Sequence, residues 1–233
     1  MTRPPEPAPP TAAPVPAPAD DAPHPEANDP RPEAEGRRTE PGGPGAGTDT
    51  SRSGTDGRGR EESGAWSVAA EPPGSPTAAV LWREYCTEVA DRWYLLHLGR
   101  RGTPEEITSC LAAESGEELA HPHGELLVAR RAGRDAAGGT EVAGCAGVRL
   151  PGPGTAELTR VYVRPVLRRS GAGRALVAAA EVSARRLGAH RLRLDTRLDL
   201  VEALALYRHC GFVEIPAYNA GPYAETWWEK PLG

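Results

Sequence analysis

The sequence predicts an α/β domain in which a mixed, twisted β-sheet carries helices on both faces, preceded by a disordered tail. Composition changes near residue 77, and beyond it strand-like and helix-like segments follow in the order hairpin, strand, helix, strand, helix, strand. A hairpin joined to alternating strands and helices gives a sheet with parallel and antiparallel neighbours whose faces the helices cover. We therefore predict a tail over residues 1–76 and one domain over residues 77–233.

The predicted tail holds most of the 25 prolines of the 233-residue chain, and Trp66 is its one aromatic residue. Such a segment buries too little apolar surface to offset its ordering entropy, which predicts disorder. It is either a docking arm for a partner or an unselected extension, and the composition favours the extension. The rest of the chain is long enough for a full single-domain core.

Charge and cysteine usage exclude several classes of function. A net charge of −5 provides no basic face for a nucleic acid. The four cysteines have neither CxxC spacing nor histidine partners, which indicates reduced thiols of a cytoplasmic protein and no metal site. The N-terminus lacks the apolar core of a signal peptide, and no run approaches the ~20 apolar residues of a membrane span. We expect a cytoplasmic protein with neither a membrane nor a nucleic-acid partner.

The first half of the domain reads as two helices and a hairpin. Apolar residues at helical spacing predict a helix from Ala79 to Leu98. Thr103 as cap, followed by Pro104 and two acids, begins a second helix that ends near Ala113. Two strands around a polar turn complete this half, over Gly124–Arg130 and Glu141–Leu150.

A central strand and a long helix follow. The strand runs from Ala156 to Arg164 and is stopped by Pro165, which cannot donate to a ladder. The helix covers Arg174–Leu187, and Gly188 is its predicted left-handed terminator.

The last third of the domain continues this alternation. A strand over Arg191–Asp195 leads to Asp199 and Glu202, whose spacing predicts a capping box at the start of the next helix. The apolar stripe of that helix includes Tyr207 and ends before Gly211. Two strands close the domain, over Phe212–Ile215 and Thr226–Lys230.

The segment between the central strand and the long helix has the composition of an anion site. We call its residues, Arg168-Arg169-Ser170-Gly171-Ala172-Gly173, the glycine loop. Its glycines permit a tight turn and a close approach of ligand to backbone, and the following helix directs unpaired N–H groups at whatever binds there. Arginines add planar donors that match phosphate. The loop therefore favours a pyrophosphate ligand over a plain turn with exposed arginines.

The residues from Glu157 to Phe212 resemble the GNAT superfamily of acyl-CoA-dependent N-acetyltransferases. The resemblance is carried by the strand, the Arg-x-x-Gly-x-Gly turn, the helix ended by Gly188, and the later helix with Leu206-Tyr207 followed by Gly211-Phe212. It implies the GNAT fold, acetyl-CoA as co-substrate and no metal. It also implies that the pantetheine pairs with main-chain groups of the central strand and that the pyrophosphate meets N–H groups of Arg169 through Arg174. The strand residues concerned are Val161, Tyr162 and Val163.

The resemblance also implies two catalytic residues. Tyr207 corresponds to a tyrosine that protonates the departing CoA sulfur, and a phenol with a pKa of about 10 is protonated at neutral pH. The alternative is a core tyrosine. Glu157 corresponds to a general base that acts through water, although acids also cap strand ends in solvent. Leu200 replaces a family asparagine that contacts the cofactor, and Cys210 reads as a core thiol rather than a nucleophile.

The predicted function is acetyl transfer from acetyl-CoA to an amine, most simply a small molecule. A protein acceptor and a non-catalytic acyl-CoA-binding module are the alternatives, and a dinucleotide fold is disfavoured because Leu176 stands where GxGxxG needs its third glycine. Six aromatic residues either line an acceptor pocket built from the first helices and the last loop or belong to the core: Trp93, Tyr94, Tyr218, Tyr223, Trp227 and Trp228. The oligomeric state stays open, with a homodimer among the alternatives.

Overall fold

The computed structural model of the chain describes residues 65–113, 116–133 and 139–233, so the predicted tail lies outside the described residues up to residue 64. The helices are α1 (Pro76–Leu98), α2 (Pro104–Ala113), α3 (Ala172–Arg186) and α4 (Val201–His209). The strands are β1 (Ser67–Ala70), β2 (Gly124–Ala132), β3 (Thr140–Gly152), β4 (Thr155–Val163), β5 (Arg191–Thr196), β6 (Val213–Ile215) and β7 (Thr226–Pro231). Short 3₁₀ turns cover Glu117–Leu119 and Pro165–Leu167.

The seven described strands form one mixed sheet in the order β1-β2-β3-β4-β5-β7-β6. The pair β4–β5 is parallel, and the other five pairs of this sheet are antiparallel. Connecting two parallel strands needs a crossover, which α3 supplies. The predicted mixed α/β fold is confirmed, and β4 is its central strand.

The two faces of the sheet bury different helices because neighbouring residues of a strand point to opposite sides. Leu126 and Val128 of β2 pack in one cluster with Leu81 of α1. Leu127, between them, packs in the other cluster with Leu176 of α3. Helices therefore cover both faces, as predicted, and full burial of a leucine such as Leu176 contributes roughly 1.5–3 kcal/mol.

Strands β4 and β5 separate soon after they begin. Their pairing covers Thr155 to Glu157 on β4 and Arg191 to Arg193 on β5. Strand β4 continues to Val163 and β5 to Thr196 without pairing to each other. The sheet therefore opens between them, on the side towards the glycine loop.

The sheet begins earlier than the predicted domain boundary. Strand β1 lies within the segment assigned to the tail and pairs with β2 from Ser67 opposite Arg130 to Ala70 opposite Leu127. Ser75, also within that segment, caps α1 by accepting a hydrogen bond from the Ala78 N–H at 3.0 Å. The prediction of disorder is therefore wrong for residues 65–76. The sequence analysis missed this strand because four residues with small side chains show no apolar periodicity.

The predicted capping box of α4 is also wrong. The N-cap is Leu200, whose side chain makes no capping hydrogen bond. Asp199 instead accepts hydrogen bonds from the Arg197 guanidinium at 2.7 and 2.9 Å. Glu202 accepts two from Arg92 of α1, at 2.9 and 3.0 Å. Each carboxylate bonds an arginine side chain, and a charge-assisted hydrogen bond to a guanidinium is stronger than one to a neutral backbone N–H group.

Candidate active site

The glycine loop turns through two left-handed residues. Arg169 has φ of +63° and Gly171 has φ of +91°. A glycine adopts this conformation freely, whereas a residue with a Cβ does so only when its surroundings hold it there. The Ser170 hydroxyl helps by donating to the Leu167 carbonyl at 2.6 Å. The turn is thus held by a side-chain hydrogen bond, and Arg169 and Gly171 are exposed on its surface.

The first turn of α3 offers uncapped N–H groups. Gly171 is the N-cap and brings no side-chain cap. The first N–H groups of a helix have no intrahelical acceptor, so those of Ala172, Gly173 and Arg174 are available to a ligand, at the positive end of the helix dipole. A Cβ on Gly173 would lie 3.2 Å from Leu206, which shows how closely α4 packs against this turn. The arrangement is suited to an anion.

The arginines around the loop divide into structural and exposed ones. Arg168 donates from Nε to the Val163 carbonyl at 3.0 Å and pairs with Glu88 of α1, so it fixes the loop to β4. Arg169 and Arg174 are exposed. Arg174 lines a groove of about 550 Å³ together with Gly171 and Ala175 of α3 and with Cys210 and Lys230.

The free edge of β4 faces the opening in the sheet. The Arg164 N–H donates to Ala143 of β3 at 2.8 Å, so alternation turns the main-chain groups of Val163 to the other edge. A Cβ on Gly144 would collide with the Tyr162 carbonyl oxygen, which therefore faces β3. Val161 belongs to a bulge in the register of β3 and β4. Of the three predicted strand residues, Tyr162 has its carbonyl turned away from the opening.

Tyr207 lies in α4 and is buried, with 6% of its surface exposed. Its ring packs on Phe212 with the centroids 5.9 Å apart. Burial raises the pKa of this phenol well above its usual value, and the nearby Cys210 and Asp195 raise it further. Tyr207 therefore holds its proton throughout the physiological range and is available as a donor.

Glu157 lies at the last residue pair before β4 and β5 separate, opposite Arg193. It is also 6% exposed, and one carboxylate oxygen accepts hydrogen bonds from Nε and Nη2 of Arg149, the first at 3.1 Å. The predicted base therefore lies where β4 and β5 begin to separate. Its carboxylate is bonded to a guanidinium and is not exposed at a strand end.

Asp195, near the opening, was not among the predicted site residues, although Tyr218 beside it was a candidate pocket residue. Asp195 of β5 accepts hydrogen bonds from the Asn219 amide at 2.7 Å and the Tyr218 hydroxyl at 3.4 Å. Burial raises the pKa of Tyr218, and the negative charges of Glu157 and Asp195 add to the shift. In the sequence, Asp195 is one residue of an ordinary alternating strand. Only the structure shows that the last loop crosses β5 and brings Tyr218 and Asn219 to its carboxylate.

The predicted aromatic residues have different positions. Trp93 of α1 contacts Tyr223 of the last loop edge-on, with ring centroids 6.4 Å apart, so helix and loop do meet. Trp228 is buried in the core, where its neighbour is Arg208, 5.1 Å above the ring. Cys210 is half-buried and burial raises the pKa of its thiol, which suits a core residue rather than a nucleophile.

A second cavity, of about 900 Å³, lies between α1 and the end of β4. Tyr162 and Arg168 line it from β4 and the glycine loop. Most of its other lining side chains are charged and come from α1 or the α1–α2 corner: Arg83, Glu84, Glu88, Asp91, Arg92 and Arg101.

Comparison with known proteins assigns the fold and the glycine loop to a family. Residues 83–212, more than half of the chain, match the acetyltransferase (GNAT) family. The chain belongs to this family. The predicted resemblance is therefore confirmed, and the match contains Glu157, the glycine loop and Tyr207.

Curated relatives match over shorter stretches. An aminoglycoside N(6')-acetyltransferase of Stenotrophomonas maltophilia is 45% identical over 53 residues, or 23% of this chain and 35% of that protein. An uncharacterized N-acetyltransferase of Schizosaccharomyces pombe is 37% identical over 102 residues, or 43% of this chain and 59% of that protein. The GNAT chain thus spans between about a third and three fifths of the relatives it matches.

Solved structures extend the likeness to the whole fold. A proposed acyl-CoA N-acyltransferase of Klebsiella pneumoniae is 26% identical, with a TM-score of 0.51 over 72% of this chain and 98% of the other. A GNAT-family acetyltransferase of Staphylococcus aureus superposes with the same score over 72% and 100% at 13% identity, which shows the fold alone. Within the described part of the chain, no helix has the length and apolarity needed to cross a membrane.

Proposed function

We propose that this GNAT protein transfers an acetyl group from acetyl-CoA directly to the amine of a small molecule. The observation that carries the proposal is the uncapped N-terminus of α3, which follows the end of β4 on the side towards which β4 and β5 separate. It offers N–H groups and exposed arginines to a diphosphate, and beside it a free strand edge to the pantetheine amides. The two features together fit a long ligand with one anionic and one amide-bearing part.

The coenzyme contacts divide among three parts of the chain. The diphosphate meets the N–H groups of the glycine loop from Arg169 onwards and those of the first turn of α3. Val161 and the N–H of Val163, whose carbonyl already accepts from Arg168, pair with the pantetheine on the free edge of β4, and Tyr162 contributes its side chain to the adjoining cavity instead. Arg168 holds the loop in place, and exposed Arg169 and Arg174 add charge near the phosphates.

The reaction then needs two protons removed from the acceptor nitrogen, one before the attack and one, to water, as the intermediate collapses, and one proton supplied to the sulfur. Glu157, through water, takes a proton from the acceptor ammonium, and the neutral amine attacks the thioester carbonyl. A main-chain N–H of β4 stabilises the oxyanion of the tetrahedral intermediate. As the carbon–sulfur bond breaks, Tyr207 protonates the thiolate. The Tyr207 phenol carries the proton needed for this step, because burial raises its pKa above its usual value.

The charged cavity beside α1 has room for a small molecule, although neither Glu157 nor Tyr207 is among its lining residues. Its volume of about 900 Å³ is within the usual range for small-molecule sites. Its lining mixes carboxylates and guanidiniums, which suits a polar amine bearing several groups. The relative from Stenotrophomonas maltophilia, named for an aminoglycoside acceptor, is consistent with this class.

The test is a coenzyme titration followed by an acceptor screen. Calorimetry with CoA should show binding to the full chain, and a thiol-release assay with acetyl-CoA should respond to amines from a pooled small-molecule panel. Absence of CoA binding would refute the proposal. Binding with no thiol release from either small-molecule or peptide amines would favour a non-catalytic acyl-CoA-binding module, and release with peptides alone would favour a protein acceptor.

A further inference from the structure

The indole of Trp66, just before β1, reaches the glycine loop. Its Nε1–H donates to the Ser170 carbonyl oxygen at 3.0 Å and to the Ser170 hydroxyl oxygen at 3.1 Å. The two residues are 104 positions apart in the chain. One donor shared between two acceptors of the same residue holds both its backbone and its side chain.

Trp66 is itself held in place. The Arg131 guanidinium of β2 lies 4.2 Å from its ring centroid, and Arg131 also pairs with Glu141 of β3 at 2.6 Å. A guanidinium over an indole face is a favourable cation–π contact. The ring also packs partly buried against the main core cluster. The indole N–H therefore comes from a fixed side chain and not from a mobile one.

Holding the Ser170 carbonyl fixes the direction of the next N–H. In a trans peptide the C=O of one residue and the N–H of the following one point in opposite directions. With the Ser170 oxygen bonded to Trp66, the N–H of Gly171 points away from Trp66. If this plane turned over, a carbonyl oxygen would replace an N–H on the side where the anion binds.

The loop needs such support because of its backbone. Ser170 lies between Arg169 and Gly171, which both have positive φ. A left-handed conformation is unfavourable for a residue with a Cβ, so Arg169 keeps it only if neighbouring contacts hold the turn. Trp66 supplies one of these contacts from outside the strand–turn–helix segment.

We propose that Trp66 is a positioning residue that holds the glycine loop in its diphosphate-binding form. The inference rests on the proposed function, since it takes CoA as the ligand of the loop. It gives the segment N-terminal to the family match a role in coenzyme affinity, through a side chain that touches neither the reacting atoms nor the acceptor.

The test substitutes Trp66→Phe in the full chain, which keeps a ring under Arg131 and removes the N–H. One hydrogen bond of about 1–1.5 kcal/mol corresponds to a roughly five- to tenfold change in affinity. We expect the Kd for CoA and the KM for acetyl-CoA to rise by about this factor, with kcat within about twofold. With acetyl-pantetheine, which lacks the diphosphate, KM should not change, whereas a general loss of structure would affect both substrates.

Trp227→Phe is the matched control, because the Trp227 indole donates to the Asn219 side chain at 2.7 Å and not to the loop. Its Kd for CoA should equal that of the wild type. Unchanged CoA affinity in Trp66→Phe would overturn the inference while leaving the proposed function intact, and a wild type that binds no CoA would refute the function itself. If Trp66→Phe does not fold, Trp66→Leu is measured in the same way: a rise in KM for acetyl-CoA but not for acetyl-pantetheine supports the inference, and unchanged KM values overturn it.

Discussion

At the scale of single residues, the two proposed catalytic groups have opposite surroundings. Tyr207 is buried against aromatic and thiol side chains, which disfavours its ionised form. Glu157 is equally buried, and its side chain accepts hydrogen bonds from the Arg149 guanidinium. The proposed acid is thus packed among aromatic and thiol side chains, whereas the proposed base contacts a cation.

We expect Tyr207→Phe to lower kcat by about 100-fold, since it removes a general acid but keeps the buried ring. The Kd for CoA should stay within about twofold of the wild type, because the first turn of α3 is untouched. Because burial raises the pKa of Tyr207, wild-type kcat should show no loss from this group between pH 7 and about 9. Stopped assays of thiol release measure kcat.

The control for this substitution is Tyr85→Phe, a half-buried tyrosine of α1 that packs against the core cluster of Leu81 and Leu126. It should turn over as the wild type does. Equal turnover in Tyr207→Phe and wild type would remove the acid role and leave Tyr207 as a core residue.

Glu157→Gln should lower kcat about tenfold or more at pH 7, with the loss shrinking at higher pH where the acceptor amine is already neutral. The measurement is a pH–rate profile with saturating acetyl-CoA. Glu125→Gln is the control, because Glu125 is likewise bonded to an arginine, Arg186 at 3.4 Å, but on the α3 side of β2. A profile of Glu157→Gln that parallels the wild type would exclude the base role.

At the scale of elements, helix α3 has a left-handed glycine at each end. Gly171 precedes its first turn with φ of +91°, and Gly188 follows its last turn with φ of +86°. A Cβ at either position would meet no atom within 4 Å, so alanine there changes backbone strain and nothing else. Gly171 faces the proposed diphosphate and Gly188 does not. An alanine should destabilise the fold by a similar amount at either position.

Gly171→Ala and Gly188→Ala should therefore each lower the free energy of unfolding by roughly 1–2 kcal/mol in urea titrations. Only Gly171→Ala should also weaken CoA binding, by at least fivefold in calorimetry, because it disturbs the loop N–H groups. Equal CoA affinity of the two variants would show that the glycine loop is not the coenzyme site.

Helix α2 begins with a reciprocal capping box. The Glu106 N–H donates to the Thr103 hydroxyl at 3.3 Å, and the Thr103 N–H donates to the Glu106 carboxylate at 2.7 Å. The Arg100 guanidinium, with help from the Thr103 N–H, lowers the pKa of Glu106 from 4.5 to about 2. A lowered pKa in the folded state stabilises the fold above pH 4.5, and this contribution is lost as the pH falls towards 2.

Thr103→Ala should cost about 1 kcal/mol of stability at pH 7. Glu106→Gln should be less stable than the wild type at pH 7, and the difference should shrink as the pH falls from about 5 towards 2. Thermal unfolding across that pH range measures both. Thr108→Ala, whose hydroxyl bonds the Pro104 carbonyl at 2.8 Å in mid-helix, is the control and should change stability little. A difference between Glu106→Gln and wild type that does not vary with pH would contradict this assignment.

At the scale of the whole molecule, α1 connects three parts of the site. Glu84 accepts two hydrogen bonds from Arg164 at the end of β4, both at 2.9 Å. One turn on, Glu88 pairs with Arg168 of the glycine loop, and Arg92 pairs with Glu202 of α4. A single exposed ion pair contributes roughly 0–1 kcal/mol to stability. The three pairs of α1 therefore act mainly to set the position of this helix over the glycine loop.

Two truncations test where the functional molecule begins. A chain starting at residue 65 keeps every contact described above and should bind CoA and unfold as the full chain does. A chain starting at residue 77 loses β1, the Trp66 bond and the Ser75 cap, so it should melt lower and bind CoA more weakly. Differential scanning calorimetry and CoA titration compare them, and identical behaviour of both chains would show that residues 65–76 contribute nothing.

The sequence by itself determined the order of the helices and strands after β1 and most of their bounds. Apolar spacing and stop signals gave α1, α2 and the hairpin to within a few residues, and the glycine loop was visible because its cause is local. Gly171 must adopt positive φ, and a helix must begin after it.

The tertiary structure alone decided the partners. In the fold, Trp66 bonds Ser170 across 104 residues, and Glu202 bonds Arg92. Asp195 lies beside the last loop, and β4 separates from β5 beyond Glu157. These contacts join groups far apart in the chain, and the periodicity of a segment reports only which of its faces is buried, not what lies against it.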